Sequence, residues 1–310
     1  MEYRKLGITN LSLSAISFGA SSLGGVFHEL DEKEGIRAVH TAIDNGINFI
    51  DVSPYYGFTK AETLLGKALK EIGRDRYFLS TKVGRYGVNG QKAWDYSAAR
   101  SLLSVEESMK RLNIDHIDLI NVHDIEFSDL EQVRNETIPA LLDLKKKGLV
   151  SYVGITGLPV ELLKKLAESV PAGTLDSVLS FCHFCLNDDA LIDYLPVFQN
   201  RNMGVINAAP LSMGLLSGRG TPSWHPASRE VKETCAKAAD FCKKQDYPIE
   251  KLAIQYSVSH PGISSTLVST TSSANILQNL KWADEPMDKA LLEQVLSILK
   301  PIHNITWENS

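Results

Sequence analysis

Short apolar runs recur along the chain at residues 15–18, 48–50, 77–81, 117–122, 152–155, 177–181, 204–208 and 265–268. Most are followed by a longer stretch whose apolar residues fall at i, i+3, i+4 and i+7. Residues 34–43, 61–72, 98–112, 138–147, 160–169 and 191–199 are such stretches. The first spacing predicts strands and the second amphipathic crossover helices. Glycines at 46, 73 and 148 stand where helices of this register stop, and a left-handed cap is expected at each. Strand alternating with helix means a parallel sheet. Eight such units with no linker rich in Pro, Gly or Ser favour a closed (β/α)8 barrel spanning 1–310 as a single domain, with an open doubly wound sheet as the alternative. Two features are extra to eight repeats. Residues 3–6 and 11–13 flank Gly7-Ile8-Thr9-Asn10 and read as an N-terminal hairpin. The interval 210–264 is about twice the others and holds an additional helix near 231–245, and further helix is expected at the C-terminus.

Composition narrows the choice of partner. The 310 residues are 44% hydrophobic and 22% charged, with a formal net charge of −5, which suits a buried core and not a disordered chain. No basic run or basic-aromatic stripe occurs, so neither nucleic acid nor an anionic membrane is expected as a partner. A small molecule is. No window supplies the roughly 18 uninterrupted apolar residues of a membrane helix, and a cytoplasmic protein is expected. Four cysteines are too few to staple a chain of this length, in keeping with a reducing compartment. Cys182-His183-Phe184-Cys185 has the C-x2-C spacing of zinc ligands. On a strand, however, residues three apart face opposite sides and no second pair follows, so no metal is expected. Cys235 and Cys242, seven apart, share a helix face as small buried hydrophobes.

In a barrel the active site lies where strands end and their following loops begin. Three runs end on ionisable groups: Asp51 after 48–50, Lys82 after 77–81 and His123 after 117–122. Alone, each reads as a solvated loop residue or a structural hydrogen-bonder. Their convergence at one rim, from consecutive strands, is what draws attention.

The loop Asp51-Val52-Ser53-Pro54-Tyr55-Tyr56-Gly57 resembles the signature of the aldo-keto reductase superfamily, an Asp followed five residues later by Tyr and then Gly. Lys82 and His123 complete that family's tetrad at its usual separations. Similar stretches run through nearly the whole chain, among them Asn45-Gly46-Ile47-Asn48-Phe49-Ile50-Asp51, Glu62-Thr63-Leu64-Leu65-Gly66 and Leu112-Asn113-Ile114-Asp115-His116-Ile117-Asp118-Leu119. The resemblance implies a nicotinamide-dependent oxidoreductase in which Tyr56 moves the proton, Lys82 held by Asp51 eases its ionisation, and His123 orients the substrate oxygen. Spacing from Asp51 favours Tyr56 over its neighbour Tyr55.

On the cofactor side the chain departs from the family. Thr156-Gly157 stands where many members place Ser-Asn against the nicotinamide carboxamide, the Gln often found after the sixth strand is missing, and Ala208 replaces a stacking Tyr. Pro210-Leu211-Ser212-Met213-Gly214-Leu215-Leu216 keeps the small, polar loop that wraps the pyrophosphate in relatives, with Leu211, Ser212, Gly214 and Leu216 as expected contacts. Ser269, Thr271, Asn275, Gln278 and Asn279 are expected near the adenosine. NADP users carry Lys and Arg where Ser269 and Asn275 stand, so NAD is the expected cofactor, though no Asp or Glu between Ser269 and Asn279 is there to repel the phosphate.

Several stretches, such as Val83-Gly84-Arg85-Tyr86, are most similar to a branch of the family that oxidises C1 of L-galactose to the lactone on the way to ascorbate. A sugar is then the expected substrate, with His28, Arg85, Tyr86, Asp124, Trp224 and His225 as candidate contacts. A broad aldehyde or ketone reductase and a nicotinamide-binding regulatory subunit of membrane channels are the alternatives. Oligomeric state is not legible.

Overall fold

In a computed structural model, which describes residues 1–25, 30–87 and 93–307, the eight expected strands are parallel and close into a barrel. A hairpin of β1 (Tyr3–Lys5) and β2 (Ser12–Ser14) precedes them. Its turn requires a glycine at position 7: φ is +54°, and a Cβ there would lie 2.5 Å from the backbone nitrogen of Gly204. The barrel strands are β3 (Ile16–Gly19), β4 (Phe49–Asp51), β5 (Phe78–Val83), β6 (Ile117–Val122), β7 (Val150–Gly157), β8 (Ser177–Phe181), β9 (Gly204–Ala208) and β10 (Ser265–Ser269). Pairing of β10 with both β9 and β3 closes the ring.

Around it lie α1 (Glu32–Asp44), α2 (Lys60–Leu69), α3 (Ala98–Leu112), the short α4 (Leu130–Gln132) running through a π turn at Val133–Thr137 into α5 (Ile138–Lys146), α6 (Val160–Ser169) and α7 (Leu191–Asn200). Then come α8 (Arg229–Lys244), α9 (Ile249–Ser257), α10 (Ser273–Asp284) and α11 (Lys289–Leu299). Side chains cap many of their N-termini: Asp31 accepts from two N–H groups of α1, and Ser97, Ser228, Ser272 and Asp288 each accept from one. Each such cap contributes about 1 kcal/mol. Apolar faces of α1 and α2 pack on β3 to β5, and those of α3 and α5 to α7 on β5 to β9. A further cluster joins α8, α9 and α11 to Leu215 and Leu216.

The barrel interior decides where the site sits. Phe49, Leu119, Leu179, Ile206 and Leu267 form one apolar floor, plugged from below by Leu6, Leu11 and Leu13 of the hairpin. Because strand side chains alternate, residues an even number further on share the inner face. Asp51, His123, Phe181, Ala208 and Ser269 therefore rise at the rim formed by the C-terminal ends of the strands.

Some expectations are corrected. Gly46 and Gly148 do take left-handed φ values of +91° and +75°. Gly73 does not: α2 stops at Leu69, and Gly73, with φ −56°, instead precedes a 3-10 turn. The additional helix of the long interval is α8, and α9 is the seventh crossover. The run 182–185 is not strand. β8 ends at Phe181 and Cys182 takes φ +63°, so the alternation argument against a metal does not apply there. Both thiols are fully buried, and burial holds them well above the usual thiol range. No helix among the described residues is long and apolar enough to cross a membrane.

Candidate active site

The three strand-end residues converge. Lys82 donates to the Asp51 carboxylate and, at 2.8 Å, to the Val52 carbonyl. Its ammonium lies 4.9 Å from the centre of the Tyr56 ring. The His123 ring meets Tyr56 edge-on at 5.8 Å. Tyr56 is less deeply buried as a residue than Asp51, Lys82 and His123. Tyr55 is disposed differently. Its hydroxyl accepts from Arg85 at 3.1 Å, with the guanidinium over its ring at 3.8 Å. Of the adjacent pair, Tyr56 is the one that lies beside Lys82.

Electrostatics set the resting protonation. Burial pushes the Tyr56 phenol up to about 12; Lys82 pulls it down, and the carboxylates of Asp51 and Asp124 push it further up. Burial works against the charge of Lys82, but Asp51 and then Tyr56 together overcome this and hold the ammonium above its ordinary value. Burial, with the cations Lys82 and Arg85, holds His123 well below the usual imidazole range. The resting site is therefore a neutral phenol, an ammonium and a neutral imidazole.

Sequence reading passed over Ser53 and Tyr96. The Ser53 hydroxyl sits 3.0 Å from His123 Nδ1 and also accepts from the Tyr55 N–H, leaving Nε2 as the ring's outward nitrogen. Tyr96 aims its hydroxyl between the carbonyls of His123 and Asp124, at 2.8 and 2.9 Å. That braces Asp124, which has a left-handed φ of +47°. A strained non-glycine residue of this kind costs on the order of 1–3 kcal/mol and persists only when its surroundings over-determine it.

Asp124 is held on every side. Arg85 donates to its Oδ2 at 2.5 Å, its N–H donates to the Thr156 hydroxyl at 3.1 Å, and Oδ2 lies 3.5 Å from His123 Nε2. Arg85 in turn packs against Trp94 at 4.4 Å, and Trp94 stacks on Phe127 at 4.1 Å. Desolvation raises the Asp124 carboxyl while Arg85 opposes the rise. A buried pair of this sort is weak evidence for stability, and its place beside the candidate tetrad makes it part of the site.

A match to the aldo/keto reductase family spans residues 15–300. The chain belongs to the aldo/keto reductase family. It is 44% identical to L-galactose dehydrogenase of Arabidopsis thaliana, over 99% of this chain and 97% of that one. It is 35% identical to D-arabinose 1-dehydrogenase of Saccharomyces cerevisiae, over 80% and 76%. Among solved structures, the holo form of aldo-keto reductase AKR11C1 from Bacillus halodurans matches with a TM-score of 0.81 at 25% identity, covering 100% of this chain and 99% of that one. Aldo/keto reductases use nicotinamide cofactors, and the chain is an oxidoreductase of that family.

The residues expected around such a cofactor sort into three groups. Thr156, Phe181 and Ala208 line the rim, and Phe181 and Ala208 are register partners on β8 and β9. Phe181, which sequence reading did not single out, thus supplies an aromatic ring beside the small Ala208. In the loop after β9, Pro210 and Ser212 are buried, Leu211 is half-buried and Leu216 is fully buried. The N–H groups of Ser212, Gly214, Leu215 and Leu216 donate to carbonyls of the loop itself. These N–H groups are thus engaged in the turn. The buried Ser212 hydroxyl has no partner among the described residues and remains a candidate donor.

At the far end, Ser269 forms a hydroxyl cluster with Ser21 and Ser22 at 2.9 and 2.8 Å. Asn275 turns its amide toward Thr270, and Thr271, Gln278 and Asn279 are half-buried. Although 269–279 itself holds no acid, one from elsewhere in the chain stands here. Glu34 of α1 accepts from the Ser273 N–H at the N-terminus of α10, at 2.9 Å. No local pattern could reveal it, since 239 residues separate the two. Hydroxyl donors, an aromatic ring beside a small residue and an unpartnered buried hydroxyl suit a dinucleotide.

The candidate substrate contacts divide. Arg85 and Asp124 join the tetrad. His225 does not: it is buried, its Nε2 meets the Ser212 carbonyl at 3.1 Å and its Nδ1 accepts from the Ala227 N–H, so it latches the loop after β9. Tyr86 accepts from the Gly84 N–H, and its ring packs under Arg100 of α3. Trp224 is exposed and stacks beside His225. His28 lies outside the described residues.

Proposed function

We propose that this chain is a sugar dehydrogenase that oxidises C1 of L-galactose to the lactone with NAD. The observation that carries the reading is the 44% identity to L-galactose dehydrogenase over almost the full length of both chains. The second relative, also a 1-dehydrogenase of an aldose by its name, supports the anomeric carbon as the reacting centre. Sugar oxidation is the cytoplasmic, small-molecule chemistry that composition and charge favour, and it involves neither nucleic acid nor membrane.

In this reading Tyr56 is the acid-base group. A bound nicotinamide would supply the hydride acceptor for C1. The C1 hydroxyl rests against the Tyr56 oxygen and His123 Nε2, and its proton passes to the phenol oxygen. A phenol at about 12 is the wrong state for a base at neutral pH, so its proton must first pass to solvent water, leaving the phenolate. The Lys82 ammonium stabilises the phenolate by charge, and Asp51 holds that ammonium in place. Neutral His123 donates through Nε2 to the substrate oxygen, fixing it without competing as a base. Thr156, Ala208 and the loop from Pro210 would hold the nicotinamide and phosphate parts. Ser269, Thr271, Asn275, Gln278 and Asn279 border the adenosine end, where Glu34 disfavours a 2'-phosphate.

Turnover of L-galactose with NAD and with NADP, followed at the absorbance of the reduced cofactor, tests the proposal. Faster turnover with NAD and a lactone product are expected. Turnover of simple aldehydes with NADPH, and none of any sugar, would overturn it in favour of a general reductase.

A further inference from the structure

Asp124 is not required by the proton transfer just described, yet the fold holds its carboxylate in a costly conformation beside His123. Its Oδ2 lies 3.5 Å from His123 Nε2, the nitrogen that meets the reacting oxygen. Arg85 fixes this oxygen from one side, and an ionised carboxylate oxygen accepts a second donor. The next polar atom of a substrate bound to His123 therefore comes within hydrogen-bonding reach of Asp124, which is buried to much the same degree as the histidine.

Resting on the dehydrogenase reading, we infer that Asp124 is a specificity residue that accepts a hydrogen bond from the hydroxyl adjacent to the one being oxidised. The chemistry of an aldose makes that hydroxyl unique. C1 of a pyranose has two neighbours, the ring oxygen, which can only accept, and C2, whose hydroxyl can donate. A carboxylate accepts only, so it takes the C2 hydroxyl. Vicinal ring hydroxyls lie about one hydrogen-bond length apart, which suits two acceptor and donor groups as close as Asp124 and His123. Substrates lacking this hydroxyl leave a buried carboxylate oxygen without its partner, and this is how a site of polar groups discriminates strongly. Arg85, clamped between Tyr55 and Trp94, acts through Asp124 as a positioning residue.

A substrate cycle tests the inference. kcat/KM is measured with NAD for the native enzyme and for Asp124→Asn, on L-galactose, its 2-deoxy form and its 6-deoxy form. The native enzyme is expected to lose about 10- to 100-fold on the 2-deoxy sugar, the range of a charge-assisted hydrogen bond. The variant should lose less than about threefold on the same change. Deleting the C6 hydroxyl should affect both enzymes equally, which a merely structural role for Asp124 would also produce for C2. Equal turnover of L-galactose and its 2-deoxy form by the native enzyme overturns the inference and needs no variant to fold. Discrimination preserved in Asp124→Asn, or in Asp124→Ser should the first not fold, overturns it too. Absence of turnover on every sugar overturns the dehydrogenase reading instead.

Discussion

Tyr55 and Tyr56 are adjacent and chemically identical, yet their neighbours differ: Arg85 holds the hydroxyl of the first, and Lys82 lies beneath the second. Tyr56→Phe deletes one oxygen and is expected to lower kcat by about 10²-fold or more, the scale of acid-base catalysis, with cofactor affinity unchanged by fluorescence titration. Tyr55→Phe should cost less than about tenfold. Retention of more than about a tenth of kcat in the Tyr56 variant, under 1.4 kcal/mol of barrier, would remove it from the proton path. His123 makes a second claim testable. Burial depresses its folded value below the ordinary 6.5, so below that pH the unfolded chain takes up a proton that the folded chain refuses. Stability is then full above about pH 6.5 and declines as the pH falls toward the folded value. Melting temperature against pH should show a shallower acid decline for His123→Asn than for the native chain; parallel curves would refute the assignment.

The N-terminus of α10 meets the side chain of Glu34 from α1 at the end of the rim that the proposed reading gives to the adenosine. Glu34 accepts from the Ser273 N–H there, occupying with its own negative charge the position where a helix dipole would otherwise welcome a phosphate. Glu34→Gln is expected to raise kcat/KM with NADP severalfold and to leave that with NAD within about twofold, the scale of a single exposed charge. Measuring both cofactors on one sugar decides it, and an unchanged ratio would show that the preference resides in Ser269 and Asn275. The same pair of helices shows why reading 269–279 by itself missed an acid. Local windows see a helix start and its cap, here Ser272, but not the residue that another helix lays across it.

At the scale of the barrel, the floor of Phe49, Leu119, Leu179, Ile206 and Leu267 supports the rim above it. Phe49→Ala removes a fully buried ring two residues before Asp51 and is expected to cost about 3–5 kcal/mol in denaturant unfolding. A loss below 1 kcal/mol would mean that the floor repacks freely and does not hold the rim. What the linear chain determined is local and periodic: eight strands, most of the helices, the hairpin, and the fact that Asp51, Lys82 and His123 each end a strand. Periodicity of 2 and 3.6 residues is written into neighbouring positions, and closure of eight parallel strands then leaves one rim for all three. Tertiary packing decided the rest, because it depends on residues far apart in sequence. It placed Arg85 on Asp124, Ser53 on His123 and Glu34 on α10, set His225 against the Ser212 carbonyl and Tyr86 against the Gly84 N–H, and denied Gly73 its cap. Hydrogen bonds and charges act over a few ångströms of space, and no spacing along the chain encodes a meeting of side chains that only the closed barrel brings within that range.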